Sequence, residues 1–268
     1  MKKEIQSFRG LAARSSLPWT LLTVLVLTVI EVGLFRALGW GADRLETAFT
    51  GPSIYLVFVI ALAGLHADFC LRGLLGAKSD LPYARLGLTR RQMLAVIAEQ
   101  NAVCYFILWA WQALLSLALA AWWCHTHPAA VGPQTVFVTF YRVSFLHALL
   151  PLGDVWLWVR NAVLCLSLGV CSAYAALSRK TVGPMIVGVA AAIFWPTAMA
   201  MSIYVIIEIA ILLTAAAFCL MDGKDEPDDE EARAMRAARR GRRGRAWHDL
   251  RAVGADRLQH ARADDSVF

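Results

Sequence analysis

Long apolar runs separated by short polar connections constrain this chain more than any other feature. Runs at 19–38, 53–75, 90–123 and 154–177, and a block at 182–221, hold only scattered charges. An α-helix rises about 1.5 Å per residue and the hydrocarbon core of a bilayer is about 30 Å thick, so each crossing takes about 20 apolar residues. The last block, 40 residues long, is long enough for two helices, with Pro196 and Met199 to Ser202 as the hairpin between spans 182–198 and 202–221. The expected architecture is all-α and integral to the membrane, with six transmembrane helices.

Composition agrees with that reading. Hydrophobic residues make up 59% of the chain and the mean hydropathy is +0.55, against roughly 45–50% apolar residues in a soluble domain. The charged 17% gathers in the first fourteen residues, in an island at Ser79 to Gln92, and after Met221. Six cysteines are scattered, mostly inside the apolar runs, with no C-x-x-C pair, and read as small packing residues. The first run has no small-residue cleavage site followed by a polar chain, so it is expected to stay as a helix.

Residues 1–18 carry Lys2, Lys3, Arg9 and Arg14, with Ile5, Phe8, Leu11 and Ala12 at helical spacing. This predicts an amphipathic helix on the cytoplasmic face, which Pro18 is expected to break from the first span. Trp19 and Trp40 flank that span as belt residues. Residues 124–153 contain Pro128, Pro133 and Pro151 and are read as an external interfacial or re-entrant segment, because counting a crossing there would put the later loops on the wrong side. The N-terminus, the island, the Arg179–Lys180 turn and the tail then all lie inside, and only Arg36, Arg44 and Arg142 occupy external loops. Six spans with both termini cytoplasmic satisfy the positive-inside rule. The tail, 222–268, turns from acidic to Arg-rich and reads as a flexible solvated segment, with anionic lipid as its sharper alternative partner. Without interleaved aromatics or a motif it gives no case for nucleic acid.

Motifs for catalysis are missing from the sequence. Gly73 to Ser79 lacks the lysine placement of a P-loop, and there is no H-E-x-x-H or G-x-S-x-G. His125 and His127 do not share a helix face and read as interfacial residues beside Trp122 and Trp123, so no metal is expected. Charges inside spans usually face a bundle interior or a watery path. Glu31, Glu99 and Glu208 are the candidates for such a path. Glu208 has no basic neighbour in its own span and is read either as a carboxyl paired with another helix or as a transport group. Glu31 is expected to pair loosely with Arg36 or leave it to snorkel, and Asp68, Arg72 and Glu99 to form ion pairs near the island.

The island reads S-D-L-P-Y-A-R-L-G-L-T-R-R-Q. Together with an amphipathic N-terminal helix and six spans, it resembles the permease subunits of type-2 ABC exporters, in which the connection between spans two and three forms a coupling helix docked on an ATPase. The resemblance implies a partner-docking element at 79–92, carried by Pro82, Arg85, Leu86, Gly87, Leu88, Thr89, Arg90 and Arg91. It also implies a soluble ATPase holding ATP and Mg, a second permease copy or a homologous permease, and export of an amphiphile across the cytoplasmic membrane. The chain itself is then neither enzyme nor cofactor binder. It departs from the family in its short hairpin between the last two spans and in the bulky piece between spans three and four. Two other readings stand beside this one: a stand-alone membrane enzyme or sensor using Glu208 or the histidines, and a scaffold recruiting partners through the Arg-rich tail. Thr89 is placed to cap the third span, with Arg90 and Arg91 in its first turn opposing the helix dipole unless an acidic partner or lipid phosphate neutralises them.

Overall fold

A computed structural model of the chain describes residues 2–51, 53–75, 89–178, 183–188 and 202–225. Among them every regular element is a helix. Helix α1 (Lys2–Leu34) closes in a π turn at Phe35–Gly39. Helices α2 (Leu45–Thr50), α3 (Ile54–Leu75) and α4 (Arg90–Thr126) follow, then α5 (Thr135–Arg142), α6 (Ser144–Leu149), α7 (Val155–Ser178) and α8 (Ser202–Asp225). A short helical stretch also runs over 183–188. Among the described residues five segments are long and apolar enough to cross a membrane: Ile5–Gly39, Leu45–Arg72, Arg90–Thr126, Val155–Ser178 and Tyr204–Met221. The chain is a multi-pass, all-helical membrane protein. Of the expected span 182–198 only 183–188 is described. Residues 76–88, 179–182 and 226–268 lie outside the described residues, and with them Pro82, Arg85, Leu86, Gly87 and Leu88 of the expected docking element. The chain divides into Met1–Lys224, the helical unit, and Asp225–Phe268.

Four of the long helices make one bundle. Helix α4 packs on α7 and α1, and α3 packs on the same two. Contacts at the ends fix the directions. Arg9 meets Glu99 at one end and Phe35 meets Trp122 at the other, so α1 and α4 run parallel. Asn101 bonds Ser172 while Trp109 meets Trp158, so α7 runs antiparallel to α4. The α4–α7 seam closes at Gly169, where an added Cβ would lie 2.7 Å from the Ala98 carbonyl oxygen and 2.8 Å from the Ala102 Cβ. In lipid, helices gain nothing by hiding apolar surface from water, so close backbone approach at small residues is what draws them together. The opposite logic explains the outer surface of α1, where Leu21, Leu22, Leu25, Val26, Val29 and Ile30 are all exposed. In water that stripe would be an aggregation-prone patch; in a bilayer it is the lipid face.

One expectation changes. Pro18 does not end the first helix: α1 continues through it. A mid-helix proline removes one N–H and crowds the carbonyls of the preceding turn. In that same turn Arg72 of α3 donates to the Ser15 carbonyl at 2.9 Å, and the Ser15 and Ser16 hydroxyls return to the Ala12 carbonyl. The amphipathic segment and the first span are one rod. Residues 124–153 form a short 3-10 turn at Pro128–Ala130 and the helices α5 and α6, of 8 and 6 residues. Neither is long enough to cross. They sit against the Trp-lined end of the bundle, with Phe140, Phe145, Leu146 and Leu149 buried.

Candidate functional site

One end of the bundle gathers arginines. Thr89 is the N-cap of α4, its hydroxyl accepting from the Gln92 N–H while the Gln92 side chain accepts from the Thr89 N–H, a complete capping box. Its two neighbours then separate in role. Arg90 is half-buried and donates to the Leu177 carbonyl near the C-terminal end of α7 at 3.2 Å. A guanidinium there satisfies a carbonyl that the helix itself leaves open and complements the dipole of α7. Arg91 is exposed and, among the described residues, makes no hydrogen bond or ion pair. The expected docking pair is thus one structural arginine and one free one. Arg9 pairs with Glu99 at 2.5 Å, and Arg72 pairs with Asp68 one turn earlier on α3 while stacking over Phe69.

Deeper in the bundle lie buried polar groups. Glu31, fully buried, accepts from Gln112 Nε2 at 2.9 Å. Arg36 does not pair with it and instead covers the Trp40 ring at 4.5 Å, because α1 and its π turn carry the two side chains to different surroundings. Arg160, 1% exposed, is 3.5 Å from Glu208 and donates to Asn161 Oδ1, and Asn161 in turn donates to the Ala148 carbonyl. Glu208 therefore has the basic partner on another helix that one of its two sequence readings required. His66 bridges Tyr105 at 2.8 Å and the Pro184 carbonyl at 2.9 Å. A carbonyl only accepts, so His66 Nε2 carries the proton and Nδ1 accepts from the Tyr105 hydroxyl. The stretch 183–188 can come this close because position 188 is glycine: a Cβ there would fall 2.1 Å from the His66 ring. Gly188→Ala is expected to break the His66–Pro184 bond and destabilise the protein by about 1–3 kcal/mol, read as a lower midpoint in thermal melts of the detergent-solubilised chain.

Glu31, Glu99 and Glu208 are held apart from one another. Each has a different partner, and Glu99 lies thirteen residues from Gln112 on α4, about 20 Å along the axis from Glu31. His127 stacks on Trp123 at 4.6 Å and meets the edge of Trp40, while His125 is exposed. Among the described residues no three His, Cys, Asp or Glu side chains gather as a metal site. Sequence reasoning missed Asn101, Tyr105, Gln112, Ser116 and Asn161. The signal was present, for Asn101, Tyr105, Gln112 and Ser116 recur at spacings of four and seven, a polar stripe on one face of an apolar helix.

The fold and these sites define a polytopic helical membrane protein with a polar interior and an arginine-lined end. No protein-family model matches the chain, and no curated protein or solved structure matches it.

Proposed function

We propose that the chain is the membrane-spanning permease subunit of an ATP-driven exporter of the type-2 ABC class. In this reading it has six spans in the cytoplasmic membrane with both termini inside, and it works with a second permease copy or a homologous permease. A soluble ATPase supplies ATP and Mg, and the cargo is an amphiphile. The observation that carries the reading is the start of α4. The capping box makes the end of the island rigid, Arg90 ties it to α7, and Arg91 is left exposed at a fixed position. An anchor that only marks the cytoplasmic side needs no such bracing, whereas a lever that passes a partner's motion into α4 and α7 does. The charge distribution supports the orientation: Arg9, Arg14, Arg72, Arg90 and Arg91 lie toward the end where Glu99 meets Arg9, and Trp40, Trp122 and Trp123 lie at the other.

The test is co-purification from native membranes. A Walker-motif ATPase is expected in stoichiometric amount with the solubilised chain, and Arg91→Glu is expected to reduce it about tenfold, the equivalent of about 1.4 kcal/mol, while the chain still inserts. A chain isolated with no ATPase, or one whose ATPase is indifferent to Arg91→Glu, would sink the assignment.

A further inference from the structure

Three buried side-chain oxygens on α1 and α4 lack hydrogen-bond partners: Glu31 Oε1, Gln112 Oε1 and Ser116 Oγ. All three residues are 0% exposed. Glu31 and Gln112 are joined through their other atoms, and Ser116 stands one turn beyond Gln112 on the same face of α4. The serine is the informative member. Hydroxyls within the long helices here normally turn back to the carbonyl four residues earlier, as those of Ser16, Thr20, Thr23, Thr28 and Thr214 do. The Ser116 hydroxyl does not, and it has neither Glu31 nor Gln112 as an acceptor within bonding distance. Glu31 Oε1 and Gln112 Oε1 only accept, so neither can satisfy the other, and the Ser116 hydroxyl one turn along the same face adds a third buried oxygen without a partner.

We propose that Glu31, Gln112 and Ser116 bind a single alkali cation of the sodium class inside the membrane domain. The donor set is oxygen only, which selects hard cations over the transition metals. With Glu31 ionised the set carries one negative charge, so a monovalent ion makes the site neutral, whereas a divalent ion would leave a net charge in a medium of low dielectric. Water alone would complete the hydrogen bonding and leave the carboxylate uncompensated. Among the described residues no cationic side chain is recorded with Glu31: Arg36, the nearest in sequence, is on Trp40, and Arg160 on α7 is beside Glu208. This site is independent of the docking assignment at Arg91.

The experiment is a thermal melt of the purified protein in detergent, followed by tryptophan fluorescence, in NaCl and in choline chloride at matched ionic strength. Above the binding midpoint, each tenfold increase in sodium is expected to raise the Tm by roughly 3–5 °C, and choline is expected to have no such effect. Glu31→Gln, which is neutral without a cation, is expected to fold and lose the response. Ser116→Ala is expected to keep it with the midpoint moved to higher sodium. A sodium response that survives in Glu31→Gln overturns the site. So does a Tm that is equal in sodium and choline and rises only on acidification, which would make Glu31 a proton carrier.

Discussion

Glu208→Leu alone is expected to destabilise the bundle by about 3–5 kcal/mol, and Glu208→Leu combined with Arg160→Met to restore most of that loss. The reasoning starts from the asymmetry of the pair. Arg160 is 1% exposed, whereas the Glu208 side chain keeps 18% of its surface open. Removing the carboxylate takes the counter-charge from a buried guanidinium, with Asn161, a neutral acceptor, beside it. Arginine does not shed its proton in proteins, so the charge stays. Removing the arginine instead leaves a carboxyl that can neutralise itself by taking up a proton, so Arg160→Met is expected to cost less than Glu208→Leu. The double variant carries no charge, and a linear apolar side chain fills much of the volume of Arg160, so its stability is expected to return close to that of the parent. Unfolding midpoints of the four proteins in one detergent give the cycle directly. Equal costs for the two single variants, or a double variant as unstable as Glu208→Leu, would show that shape rather than charge governs this contact.

Legibility from the sequence followed what lipid does to the hydrophobic signal. Run length and charge placement gave the long helices, because a crossing has a minimum length and every backbone group in lipid must bond within its own helix. Local chemistry was legible too: the Thr89 cap with Gln92 and the Asp68–Arg72 pair both act over three or four residues. Partners between helices were not legible. In a soluble helix the apolar face marks the core, but here both the lipid side and the packed side are apolar. Leu27 is buried and Leu25 is exposed on the same helix, and nothing in their identity separates them. So the sequence offers Glu31 only a loose pairing with Arg36, five residues away, or snorkelling, whereas its partner is Gln112, 81 residues away. Pro18 was misjudged for a related reason. Arg72, from another helix, donates to the Ser15 carbonyl in the turn that Pro18 crowds, a contact that the sequence around Pro18 does not contain. Polar residues inside the spans are the better guide: the stripe from Asn101 to Ser116 marks the inward face of α4 without reference to hydropathy.

Gly169→Ala is expected to open the α4–α7 seam at a cost of about 1–3 kcal/mol, and Gly169→Leu to prevent stable assembly of the bundle. An added Cβ at 169 meets the Ala98 carbonyl oxygen at 2.7 Å and the Ala102 backbone nitrogen at 2.9 Å, and neither is the end of a flexible side chain. Backbone cannot move aside by a rotamer change, so the helices themselves must separate by most of an ångström. Separation would stretch the Asn101–Ser172 bond, 2.9 Å long and buried one turn away. It would also loosen the Trp109–Trp158 contact farther along the same seam. Ala102→Gly supplies an internal check. It removes the third contact, at 2.8 Å from the Ala102 Cβ, and leaves the other two, so it should rescue Gly169→Ala only in part. Gly33→Ala is the control, since a Cβ there meets nothing within 4 Å and the change favours the helix by up to about 1 kcal/mol. Thermal midpoints in detergent should therefore rank Gly33→Ala at or above the parent, Gly169→Ala with Ala102→Gly below it, and Gly169→Ala lowest of the three. Full rescue by Ala102→Gly would place the helices farther apart than their backbone contacts imply and would remove the reason for a glycine at position 169.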